Sequence, residues 1–422
     1  MKLKKINLKN GMPVFLLKAP NSKSSTILVM FKTGSKYENR KNSGLSHFLE
    51  HMFFKGTKKR PTTRDISGEL DSIGAEFNAF TGKEYTGYYI KSQKEKFDVA
   101  IDVLSDMLMN SKFEQEEINR ERGVIIEELN MYENNPLMHI EDIFESCLYG
   151  DTPAGWETIG FKESILKLNR KDFLNYYQSQ YGPNGSAIFV AGNFSETKLV
   201  KNLEEKFSRF KKNKYKNKIK LVEKQKEPSL KIKNKKTDQI TLSLGFRAFP
   251  SGHKDERVLK LLSIILGGSM SSRLFIELRE RRGLAYYVRS GVELYSDSGY
   301  ISVQAGIPKN KLEESIRVIL GEYRKLKDDL VSDEEIGKAK DLFAGRLVVG
   351  MEGTDDFTNW YGHQFPFTDK FLSPDEVLKK IKKVSSKDIK RVANDLFVNN
   401  KLNLAIIGEG IKNSDVKKYL KI

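Results

Sequence analysis

Cysteine is almost absent from this chain. Cys147 stands alone among 422 residues, so no intrachain disulfide can form. One cysteine in a chain of this length fits a reducing compartment, and a cytoplasmic protein is expected. Long apolar runs are missing too. No stretch approaches the ~18 apolar residues that a membrane span requires, so no membrane partner is expected. The basic start Met1-Lys2-Leu3-Lys4-Lys5-Ile6 is followed by no apolar segment of signal-peptide length. Acidic residues are outnumbered, 56 against 73 lysines and arginines, which leaves a net charge of +17. Such an excess raises the question of nucleic acid. The lysines, however, are spread along the chain and accompany no recognition motif with interleaved aromatics. A solvated lysine surface is expected, with no nucleic-acid partner.

The chain is too long for one ordinary core and suits two domains of about 200 residues each. Weak internal repetition supports that division. Lys387-Asp388 and Ile406-Ile407-Gly408 repeat Lys171-Asp172 and Val190-Ala191-Gly192 after 216 residues, and Glu334-Glu335-Ile336 repeats Glu116-Glu117-Ile118 after 218. The halves therefore read as duplicated domains. Between them lies a lysine-rich break in composition that reads as a linker. The expected organisation is a first domain over 1–210, a linker over 211–237 and a second domain over 238–422.

Histidine is scarce, five residues in all, and two of them fall in one short stretch: Gly44-Leu45-Ser46-His47-Phe48-Leu49-Glu50-His51-Met52-Phe53-Phe54. On a helix, positions i and i+4 share a face. His47 and His51 would point the same way, with Glu50 close beside them. The remaining positions are apolar almost all round, which predicts a buried helix capped by Ser43. Buried imidazoles and carboxylates need partners, and one metal ion would satisfy all three. Two core histidines bonded to neighbours are the plainer alternative, but this spacing with an intervening glutamate favours the metal.

A second segment, from Glu116 to Tyr132, carries Val124, Ile125 and Leu129 at helical spacing. Glu121 and Glu128, seven apart, share a face with Val124 and Ile125. Glu127 lies about 100° off that face. In the repeat, Glu127 and Glu128 correspond to Gly345 and Arg346, and the second half has no His-x-x-Glu-His. Only the first domain can hold the metal. His139, His253 and His363 stand apart from any ligand spacing and read as structural.

His-x-x-Glu-His reverses the commoner His-Glu-x-x-His zinc helix. With the distant glutamate, it resembles the pitrilysin/insulinase-type zinc metallopeptidases, in the half-length form that includes the mitochondrial processing peptidase and its bacterial relatives. His51 and Glu128 are 77 residues apart, similar to the family's distance to its glutamate ligand. The resemblance implies one zinc ion per chain on His47, His51 and Glu128, with Glu127 the competitor for the third place. It also implies Glu50 as general base and Glu121 as a carboxylate that orients a ligand. The stretch Arg279-Glu280-Arg281-Arg282-Gly283-Leu284-Ala285-Tyr286 is similar to the family's Arg/Tyr pair, which falls on Arg279 and Tyr286. Asn78-Ala79-Phe80 resembles the edge strand that receives peptide. The implied fold is α+β, two duplicated α/β domains, each an antiparallel-rich sheet covered by helices. The implied assembly is a homodimer closing like a clam around a chamber. The implied activity is endopeptidase action on unfolded or short peptides, and the alternative is a non-catalytic core-type subunit of a processing-peptidase-like complex.

Overall fold

The computed structural model describes residues 2–422. The chain forms two compact units. The first contains residues 2–130, 157–219 and 350–371, and the second contains 131–156, 220–349 and 372–422.

The first unit is built on a six-stranded sheet: β1 (Leu3–Asn7), β2 (Pro13–Lys18), β3 (Ser24–Phe31), β4 (Glu76–Thr81), β5 (Thr86–Gln93) and β6 (Ser186–Gly192). Their order is β1-β2-β6-β3-β5-β4. All pairs are antiparallel except β2 with β6. The second unit holds β7 (Ser229–Asn234), β8 (Ile240–Ala248), β9 (Tyr287–Leu294), β10 (Gly299–Ile307) and β11 (Leu402–Gly408). Here the order is β7-β11-β8-β10-β9, again with one parallel pair, β7 with β11. From β2 onward the first sheet has the topology of the second, strand for strand. The central strands β3, β6, β8, β10 and β11 are buried almost throughout; the apolar runs of β3, β6 and β11 require it, whereas β8 and β10 alternate apolar residues with small or polar ones that are buried with them.

The linear division at 211–237 differs from the structure in two respects. β7 falls inside the expected linker and pairs with β11 through six residues. Its alternating lysines, Lys231 and Lys233, mask a strand that is only half-buried at the sheet edge. The halves also exchange helices. Pro136–Tyr149, from the first half of the sequence, packs Ile140, Ile143, Phe144 and Leu148 onto Tyr300, Ala405 and Ile407 of the second sheet. Its counterpart Thr354–Gly362 packs Phe357, Trp360 and Tyr361 onto Leu28, Met30 and Phe189 of the first. Each sheet therefore has one face completed by a segment from the other half of the chain, an arrangement that local patterns do not encode.

Candidate metal centre

The helix Leu45–Met52 buries Leu45, Phe48, Leu49 and Met52 and leaves His47, Glu50 and His51 partly open. Ser43 does not cap it. The N-cap is Gly44, in the left-handed region at φ 92°, and Glu38 supplies the acceptors. Gly44 N–H donates to Glu38 Oε2 at 2.7 Å and Ser46 N–H to Oε1 at 2.6 Å. A Cβ on Gly44 would lie 2.4 Å from Ile159 O, so glycine is required there. The Ser46 hydroxyl pairs with Tyr176 at 2.7 Å, and Phe48 meets the Phe173 ring edge-on. These contacts fix the rotation of the short helix and thus the direction of its polar side.

The facing helix, Gln115–Asn134, turns Ile118, Glu121, Ile125 and Leu129 inward, while Val124 is exposed. Glu128 lies at the margin of the inward face and Glu127 is exposed. Glu128 Oε1 stands 3.6 Å from His47 Nε2, and Oε2 stands 3.6 Å from His51 Nε2. One donor atom from each of His47, His51 and Glu128 lies within 4.8 Å of the others. The structure thus brings together Glu128 and not Glu127. Behind His51, Nδ1 pairs with Glu121 Oε1 at 2.9 Å, and Lys55 Nζ contacts Glu121 Oε2 at 2.6 Å. Nδ1–H donating to Glu121 leaves the Nε2 lone pair free to bind a cation. Among the described residues, nothing hydrogen-bonds His47 Nδ1.

Burial tends to raise the Glu121 carboxyl, but hydrogen bonds from His51 and Lys55 outweigh it and hold the group below its ordinary range. Glu128 is likewise raised by burial and lowered further by His47 and His51. Glu50 behaves differently: burial raises it, against a hydrogen bond from Thr81 and the nearby imidazoles. Two imidazole nitrogens and an ionised carboxylate, with one imidazole oriented from behind, fit a three-ligand zinc site.

β4 is the outermost strand of its sheet, so Asn78, Ala79 and Phe80 sit on a sheet edge. Gly82 N–H bonds Tyr85 O across the β4–β5 turn. Antiparallel alternation from that pair turns the backbone of Phe77, Ala79 and Thr81 to the open edge. Ala79 N–H there donates to Asn78 Oδ1 at 2.8 Å. In the second unit, Arg279 lies on a wide π-type turn, Phe275–Glu280. Its guanidinium carbon is 5.5 Å from the centroid of Tyr286, which is 75% exposed. Of the remaining histidines, His139 is buried beside Lys233, His253 stacks on Phe249 and His363 stacks on Phe80. Sequence reasoning missed Glu38, Lys55 and Thr81. Lys55 follows His51 by four positions and shares its side of the turn, a signal that was available. Glu38 and Thr81 reach the helix through tertiary contacts.

Residues 13–161 match the family described as insulinase (peptidase family M16), and residues 167–343 match the M16 inactive domain. A zinc protease of Bacillus subtilis, YmxG, is 35% identical over 94% of this chain and 96% of its own length. A zinc protease of Rickettsia felis is 36% identical, covering 92% of this chain and 94% of its own. A protease of Helicobacter pylori has the same fold, with a TM-score of 0.91 at 24% identity over 96% of this chain and 99% of that one. A chain of complex III2 from Candida albicans also shares the fold, with a TM-score of 0.83 at 15% identity and full coverage of both. No helix among the described residues is long and apolar enough to cross a membrane. The metal-site sequence falls in the first matched region and the second half lacks it, and on this evidence the chain belongs to the insulinase family of peptidases, family M16.

Proposed function

We propose that the protein is a zinc-dependent endopeptidase that hydrolyses unfolded or short peptides. The observation that carries this reading is the convergence of His47, His51 and Glu128 beside a further carboxylate, Glu50, which comes from the same helical turn as the histidines and hydrogen-bonds only Thr81 among the described residues. His47, His51 and Glu128 would hold one zinc ion per chain. When bound, zinc supplies a Lewis acid for the scissile carbonyl and lowers the pKa of a water to ~7. Glu50 takes the proton from the attacking water and returns it to the leaving amine. Glu121 keeps His51 in the tautomer that leaves Nε2 unprotonated. A substrate joins β4 as an added strand along Asn78, Ala79 and Phe80, pairing with main-chain groups at the open edge. Such pairing selects for extended chain rather than for sequence, which suits unfolded peptides.

The proposal includes a homodimer closing around a chamber, with Arg279 and Tyr286 of one copy stabilising the tetrahedral oxyanion in the other. Removing an oxyanion donor of this kind costs ~3–4 kcal/mol. The exposed ring of Tyr286 beside Arg279 supports that role. A non-catalytic core subunit has no use for the four residues gathered at the centre. The test compares wild type with Glu50→Gln. The variant should retain zinc and lose about 10²–10⁴-fold in cleavage of an unstructured peptide. Equal cleavage by the two proteins would remove Glu50 as the base.

A further inference from the structure

Strand β4 ends at Thr81, whose hydroxyl donates to Glu50 Oε2. Among the described residues no other side chain hydrogen-bonds the Glu50 carboxylate, so Oε1 is left free, with His47, His51 and Glu128 as its charged neighbours. The terminal torsion of a glutamate is broad and has no strong intrinsic preference. One donor on one oxygen therefore decides the plane of the carboxylate. Threonine suits that task. Its β-branched side chain is stiff, and a hydroxyl bond to an ionised carboxylate is among the stronger hydrogen bonds. Thr81 also belongs to the open edge: its own N–H and C=O face outward, in register with Ala79. A single residue thus touches the groups that would receive a peptide main chain and the group that would move its proton.

We infer that Thr81 is a positioning residue, which aims Glu50 and ties its aim to the strand on which the peptide docks. The inference rests on the reading of Glu50 as the base. Peptide and base are held by one element, so a peptide seated on β4 meets a carboxylate whose Oε2 is already occupied and whose Oε1 is available. Alignment of that kind is worth large factors in rate, because small displacements of a reacting group are costly.

Thr81→Val keeps the shape and removes the donor, Thr81→Ala removes the donor in a smaller side chain, and Thr81→Ser keeps it. In the zinc-loaded protein, the Val and Ala variants should lose about 10–100-fold in kcat with KM nearly unchanged, and the Ser variant should stay near wild type. In metal-free protein, anisotropy of a labelled unstructured peptide should give the same Kd for wild type and Thr81→Val, and melting temperatures should agree. Wild-type kcat in Thr81→Val, with Glu50→Gln inactive, overturns the role of Thr81 and leaves the base reading standing. Normal cleavage by Glu50→Gln overturns the reading beneath it. A rise in the metal-free Kd equal to the fall in kcat/KM shows that Thr81 serves docking alone, and a full loss in Thr81→Ser rules out its hydroxyl as the agent.

Discussion

Replacing Glu121 with glutamine removes one charge and one acceptor while keeping the length of the side chain. In the native protein the carboxylate serves two donors, His51 Nδ1 at 2.9 Å and Lys55 Nζ at 2.6 Å. An amide has one oxygen and one NH2 group, so it can accept from only one of them. With its oxygen toward Lys55, the NH2 group faces His51 Nδ1, and the ring must then carry its proton on Nε2, the atom nearest Glu128. With its oxygen toward His51, the tautomer survives, but the NH2 group faces an ammonium and a negative charge is lost behind the ligand. Both outcomes weaken cation binding. His51 is the imidazole that the protein orients, so the loss falls on one ligand of three. Losses of this kind amount to about 10–100-fold in metal affinity, or ~1.4–2.7 kcal/mol. Competition for zinc against a chromogenic chelator measures it. Glu127→Gln, on the exposed side of the same helix, should bind zinc as wild type does. Wild-type affinity in Glu121→Gln, or an equal loss in Glu127→Gln, would refute the reasoning.

Glu38 predicts a pH dependence of stability. Burial pushes its carboxyl up from 4.5 to about 7, against the bonds from Ser46 and Gly44 that pull it down. The folded state therefore keeps a proton that the unfolded state releases. Stability is highest below the unfolded pKa and declines as pH rises through the folded one, by about 3 kcal/mol for a shift of this size. Urea titrations across that window should show the decline in wild type and its loss in Glu38→Gln, and parallel profiles would refute it. Mixing Glu50→Gln with Arg279→Ala tests the shared site. If Arg279 serves the partner's metal centre, each mixed dimer keeps one complete site, and equal mixing of two inactive proteins restores about a quarter of wild-type activity. Mixed dimers that recover no activity would confine Arg279 to some other task.

The parts of the site that could be read from sequence are those joined by one helical turn. His47, Glu50 and His51 fall within five residues, and the 3.6-residue period alone turns them to one side. The same period separates Glu128 from Glu127, because their directions differ by about 100° on any helix. The face was less well described: Val124 shares the spacing of the inward residues yet is exposed, since the inward face follows Ile118, Glu121 and Ile125. The cap was misassigned for a related reason. Ser43 has the right chemistry in the right place, but Glu38, brought close by an intervening loop, offers its two carboxyl oxygens to two backbone donors at once.

Apart from the repeat at 216–218 residues that marks the halves as copies, what the amino-acid order determined by itself was local: where most helices and strands lie, and that one turn of one helix carries paired histidines with an acid between them. These follow from periodicity and residue chemistry, which act over a few positions. Tertiary structure alone decided that His51 is the ligand Glu121 backs, that Thr81 meets Glu50, that β7 extends the second sheet, and that the helices Pro136–Tyr149 and Thr354–Gly362 each cover a sheet from the other half. A helix's apolar stripe states that it must be buried and not against what. Only long-range packing, in which Phe357 and Trp360 find Leu28 and Phe189, makes that choice.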